Sequence, residues 1–152
     1  MQRSPPLNSA WCDYQWSAIG IAVTANENAQ SNEARLVHEN GDTRQYMYSG
    51  FNIRLHIDEC ESYYQNLMSP TPRCYVVASR DDNDTPEPFL VCMSFDEAHA
   101  YLEGDEEVYD VDIPPELYCW TEAFVLTHYA PEKRLKRKRQ NWKNPKQESL
   151  TS

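Results

Sequence analysis

Apolar and polar residues alternate without a break along Phe51, Ile53, Leu55 and Ile57, and this period of two predicts the clearest strand in the chain. Trp16–Thr24 repeats the pattern with Ile19, Ile21 and Val23 on one side. Ala34–His38 and Thr43–Ser49 read as a hairpin around Glu39-Asn40-Gly41-Asp42, because Asn-Gly between β-rich runs is a strong turn signal. Cys74–Ser79 and Phe89–Met93 are two further short β-rich runs, separated by the polar loop Arg80–Pro88. Tyr109, Val111 and Ile113 alternate as a last strand. Asn26–Asn32 is polar and reads as a loop.

Elsewhere the period changes to that of helices. Cys60, Tyr63, Tyr64, Leu67 and Met68 form an apolar stripe, with Asp58 and Glu61 in the spacing of a capping box and Ser69-Pro70 as the stop. Ser94-Phe95-Asp96-Glu97 is a full capping box for a second helix with Ala98, Tyr101 and Leu102 inward, and Gly104 stands where a C-terminal glycine cap belongs. Pro114-Pro115 opens a third, whose inner face reads as Leu117, Trp120, Ala123, Phe124 and Thr127, with Pro131 closing it.

Strands therefore arrive in hairpins and not in βαβ alternation. The pattern predicts an α+β fold, with a mainly antiparallel sheet of about six to seven short strands and three helices. The domain spans 16–131, preceded by a lead-in over 1–15 and followed by a disordered basic tail over 132–152. A chain of 152 residues suits one domain, and ten Tyr and four Trp argue against a disordered body.

Five cysteines, Cys12, Cys60, Cys74, Cys92 and Cys119, are odd in number and never in a CxxC pair. That spacing speaks against a disulfide framework or a Cys-rich metal site and fits a reducing cytoplasm. The longest apolar run, Ala18–Val23, is far too short to span a bilayer, and no signal-peptide pattern opens the chain. Only four glycines occur, no two placed to cradle a phosphate, and GxSxG, Walker and Rossmann patterns are missing from the sequence.

Candidate chemistry is sparse. His56-Ile57-Asp58-Glu59-Cys60 brings a base, two acids and a thiol to a predicted helix start, where Cys60 could act as a nucleophile with His56 as base. Three nearby carboxylates oppose a thiolate there, and Cys60 also falls on the inner stripe, so a capped helix with a buried cysteine is the better account. Arg80-Asp81-Asp82-Asn83-Asp84-Thr85 lacks the Gly and Glu of an EF-hand loop and reads as a solvated turn. Glu103-Gly104-Asp105-Glu106-Glu107 is an acidic run, readable as solvated surface or as a docking patch. His38, His99 and His128 stand outside any ligand spacing. Neither a catalytic nor a metal site emerges, and a cofactor of the chain's own is not expected.

Charge is segregated. Residues 1–132 carry six Arg against 23 Asp and Glu, a net of −17, whereas 133–152 carry eight basic residues against Glu148, a net of +7. Lys133, Arg134, Lys136, Arg137, Lys138, Arg139, Trp142 and Lys143 are the candidate partner- or phosphate-binding residues. The acidic body disfavours nucleic acid as their target, since it repels a phosphate backbone and competes for the tail.

Several blocks together resemble a known family: Trp16; Glu61-Ser62-Tyr63-Tyr64-Gln65-Asn66-Leu67-Met68-Ser69-Pro70; Cys74-Tyr75-Val76-Val77; and Pro88-Phe89-Leu90-Val91. Glu97-Ala98 with Tyr101-Leu102, Gly104-Asp105-Glu106-Glu107, Trp120–Val125 with His128, and the Lys/Arg-rich tail complete the likeness over roughly 16–143. The chain resembles the bacterial domain-of-unknown-function family 3305. The resemblance implies a setting beside molybdenum-dependent formate dehydrogenase and its maturation. It points to a non-enzymatic accessory protein whose partner is a formate dehydrogenase subunit or maturation factor. Its alternatives are a molybdopterin-guanine dinucleotide nucleotidyltransferase and a nucleic-acid-binding regulator acting through the tail.

Overall fold

A computed structural model of the chain describes residues 1–5, 14–24 and 34–129. Its architecture is α+β, with three helices and seven strands in two antiparallel sheets instead of one. The first sheet is built from β1 (Gln2–Ser4), β2 (Gln15–Ser17), β3 (Arg35–Asn40) and β4 (Thr43–Met47), in the order β2-β1-β4-β3. Residues 2–4, which the sequence places in the lead-in, are thus an interior strand, paired on one side with Ser17 to Gln15 and on the other with Gln45 and Arg44. The predicted β3–β4 hairpin forms, but Asn40 pairs with Thr43, so Gly41-Asp42 and not Asn40-Gly41 is the turn. Gly41 has φ +59 and Asp42 does not share a positive φ, the requirement of a II′ turn with Gly first.

Two predicted strands differ. From Trp16 to Thr24 only the first two residues belong to a strand; Ile19 and Val23 are exposed, while Ala18 and Ile21 lean on the core. Phe51, Ile53 and Leu55 are half-buried and their neighbours exposed, as the alternation predicts, yet 51–56 joins neither sheet and Ile57 opens a 3-10 turn (Ile57–Glu59). Alternation reports which side faces the core; a ladder also needs a free strand edge alongside. Gly50, at φ +92, turns the chain out of β4 just before this segment. The loop over Asn26–Asn32 lies outside the described residues.

The second sheet carries the core. Its strands are β5 (Arg73–Arg80), β6 (Pro86–Cys92) and β7 (Glu107–Asp112), with β5 in the middle. Cys74, Val76, Val91 and Val111 pack with Cys60, Tyr63 and Leu67 of helix α1 (Cys60–Leu67) and Leu117 and Val125 of α3 (Pro115–His128). Val77 and Cys92 pack on the opposite side with Ala98 of α2 (Phe95–Leu102), joined by Tyr75, Leu90, Tyr101 and Val108. The result is three layers, α1 and α3, then sheet, then α2, and this explains why Val76, Val77 and Ala78 are buried in succession. Pro86 and Pro88 sit in β6, which is possible because β6 is an edge strand. The Tyr48 hydroxyl donates to the Pro86 carbonyl at 3.2 Å, tying the stretch after β4 to that edge.

The helices begin and end partly as the sequence predicts. Ser94 caps α2, its side chain accepting from Glu97 N–H at 3.1 Å. Asp58 does not cap α1; it lies in the 3-10 turn, and Glu59 occupies the N-cap without its side chain bonding the helix's own N–H groups. After α2 the left-handed residue is Asp105, at φ +66, and not Gly104. The inner face of α3 is Leu117, Thr121 and Val125, one turn apart, while Trp120, Ala123 and Thr127 face outward. Thr121 can be buried because its hydroxyl donates to the Leu117 carbonyl at 2.8 Å.

Candidate functional site

The His56–Cys60 junction holds no activated thiol. Cys60 is 3% exposed, and its sulfur lies 4.0 Å from the His56 carbonyl. Burial, with the Asp58 charge adding to it, pushes the thiol pKa up, which disfavours the nucleophilic thiolate. Cys74 and Cys92 are pushed up to about 12, chiefly by burial. Cys119 is exposed on α3. Among the described residues no group of three His, Cys, Asp or Glu is placed to hold a metal ion.

Next to Cys60 lies a buried polar junction. Ser94 donates to Glu59 Oε2 at 2.6 Å and accepts from Glu97 N–H. Its oxygen is also 3.1 Å from Ser62 Oγ; with its one proton committed to Glu59, Ser94 accepts there too. Glu97 stands near Glu59 and His56, and burial, reinforced by Glu59 and opposed by His56, raises its carboxyl pKa. Ser94 is 0% exposed, so this cluster clamps the start of α1 to the start of α2 and offers no reachable hydroxyl. In the 81–85 loop the Asp81 carboxylate accepts from Asn83 and Thr85 N–H, both at 2.9 Å, which accounts for an acid there without calcium. In the acidic run, Glu107 binds Arg80 Nε at 2.8 Å and accepts from the Tyr109 hydroxyl, whereas Glu103 and Asp105 are exposed.

One open feature among the described residues is a groove of about 280 Å³ between α2 and the β5–β7 half of the small sheet. It lies where α2 packs on the sheet beside Val108 and runs toward the Arg73–Asp112 end of the β5–β7 pair. Phe95, His99 and Leu102 share one stripe of α2 and form one wall; Tyr75 and Val108 form the floor. The Tyr75 and Phe95 rings meet edge to face at 5.9 Å, and His99 lies 3.9 Å from Phe95. At the rim Arg73 donates Nε to Asp110 Oδ2 at 2.8 Å and Nη2 to the Asp110 carbonyl at 3.0 Å, and it also pairs with Asp112. Two carboxylates against one guanidinium leave the rim negative, and the Asp112 side chain is 96% exposed. Such an arrangement offers apolar contact, with an acidic edge next to β7, an edge strand of the small sheet among the described residues.

The sequence signals for this groove were present but divided. Phe95 reads as a cap-box residue and His99 as an isolated histidine, and only helical spacing puts them beside Leu102. Arg73 falls just before the predicted strand. The tail residues Lys133, Arg134, Lys136, Arg137, Lys138, Arg139, Trp142 and Lys143 lie outside the described residues, as does Pro131. No described helix is long and apolar enough to cross a membrane.

No curated protein and no solved structure matches the chain significantly. One family profile does, described as a protein of unknown function, DUF3305, over residues 1–139. With nearly its whole length matched, the chain belongs to the DUF3305 family.

Proposed function

We propose that this is a non-enzymatic accessory protein for maturation or cofactor loading of a molybdenum-dependent formate dehydrogenase. The observation that carries the docking part is the α2–β7 groove, apolar within and acidic at its rim, beside an edge strand. It suits an extended apolar segment of a partner with a basic residue to meet Asp110 and Asp112. The likeness described for the sequence supplies the formate dehydrogenase setting. The basic tail serves as a second arm, toward an acidic subunit or the phosphates of the dinucleotide cofactor, for which Arg and Lys are suited.

Affinity purification of the tagged protein from its native host, grown on formate, tests this. A formate dehydrogenase subunit or maturation factor should co-purify, and Leu102→Asp, at a half-exposed groove position, should lose it. Absence of any such protein, with formate oxidation intact after gene deletion, removes the proposal.

A further inference from the structure

The groove and the outer edge of β7 form one surface. Pairing of β5 with β7 places Arg73, Tyr75, Val108 and Asp110 on the α2 side, and the period of two adds Asp112. Among the described residues β7 forms a ladder with β5 alone, which leaves its other edge open to a further strand. On this surface two carboxylates share one guanidinium. Arg73 gives Nε to Asp110 and Nη1 to Asp112, yet the Asp110 and Asp112 side chains stay 61% and 96% exposed. Ion pairs this open to solvent contribute little to stability, so a second cation can take over a carboxylate at small cost.

We propose, resting on the docking reading of this groove, that a partner segment adds to β7 as a fourth strand of the small sheet and that Arg73 holds the place of its basic residues. A strand on that edge sets alternate side chains beside Val108, Asp110 and Asp112, about 5 Å away across the pair. The matching residues are an apolar one beside Val108, where Leu102 of α2 forms the wall, and Lys or Arg beside Asp110 and Asp112. The occupant is therefore an extended segment with the pattern apolar-x-basic-x-basic, read in either direction. Charge selects it, because one Arg shared between two Asp leaves the edge negative and repels an acidic segment. Arg73 is an internal competitor, and the affinity depends on how readily it yields.

A fluorescein-labelled peptide, Arg-Thr-Arg-Thr-Val-Thr-Arg-Thr-Arg, carries the pattern in both directions and reports binding to the full chain by anisotropy. Its dissociation constant should lie between about 10 and about 500 µM, the range of a short strand without further anchors. Asp110→Asn combined with Asp112→Asn should weaken binding at least fivefold, with an unchanged circular dichroism spectrum. Arg73→Gln should tighten it at least threefold. Arg44→Gln, which removes an equal charge from the Glu39 pair on the other sheet, should leave it unchanged. Methylating one alternate set of peptide amides should abolish binding and the other set should spare it, because an added strand pairs through one side only. Equal effects of Arg73→Gln and Arg44→Gln, or binding indifferent to both methylations, overturn the proposal and leave Asp110 and Asp112 as guards against edge pairing. The accessory role fails separately. If the peptide responds as stated while no formate dehydrogenase protein co-purifies, that role falls and this site stands; the converse result overturns this site alone.

Discussion

Asn66 illustrates how one buried polar side chain can organise a fold. Its amide donates to the Arg73 carbonyl at 2.7 Å and the Met93 carbonyl at 2.9 Å, and its oxygen accepts from Arg73 N–H at 3.0 Å. Asn66→Ala would strand three backbone groups between α1, β5 and the end of β6, costing about 2 to 4 kcal/mol. Urea unfolding should show a lower midpoint at unchanged slope. Glu97 gives a pH-dependent expectation. Its folded pKa is raised, so the stability tied to its protonated form is full below the unfolded value and is lost as pH rises through the folded one. Glu97→Gln should therefore melt higher than wild type near pH 7, with the gap closing toward about pH 4. A gap that widens on acidification would contradict this sign. The Ser94 cap was legible from Ser-x-x-Glu alone. Its bond to Glu59 was not, because no local pattern encodes a contact across 35 residues.

Elements were read best where local chemistry decides them. Both hairpins, the three helices and the β5-β6-α2-β7-α3 order follow from turn residues, caps and period, whereas the strand at Gln2–Ser4 and the unpaired course of 51–56 do not. Misreadings came where tertiary packing chooses the face. Leu117, Thr121 and Val125 turn inward on α3 because Thr121 can bond its own helix, which a polarity pattern counts against it. The α2 terminus is another such case. Gly104 has no positive φ, and a Cβ there would meet only the Tyr101 carbonyl at 3.5 Å, an ordinary contact. Gly104→Ala should thus be tolerated. Asp105→Gly, at φ +66, should be neutral to stabilising by up to about 1 kcal/mol, since glycine adopts that conformation freely. A thermal melt of the two variants compares them directly. Destabilisation by Gly104→Ala larger than by Asp105→Gly would refute the assignment.

At the scale of the whole molecule, the separation of an acidic body from a basic end is visible in the sequence and needs no coordinates. The division into two sheets was invisible, because strand count does not say which edges meet. That division has a consequence for how the native state opens. β5 has a partner on both edges and helices on both faces, whereas β3 is exposed along its whole length at the margin of the other sheet. Amide hydrogen exchange should therefore fall into two protection classes. Val76 and Val77 should exchange only through the largest opening, while the amides of the β3–β4 hairpin should exchange by a cheaper, sub-global one. Denaturant should raise the exchange of the two classes with different slopes. The chain would then keep its three-layer unit closed while the four-stranded sheet breathes, a division of labour set by where β5 lies.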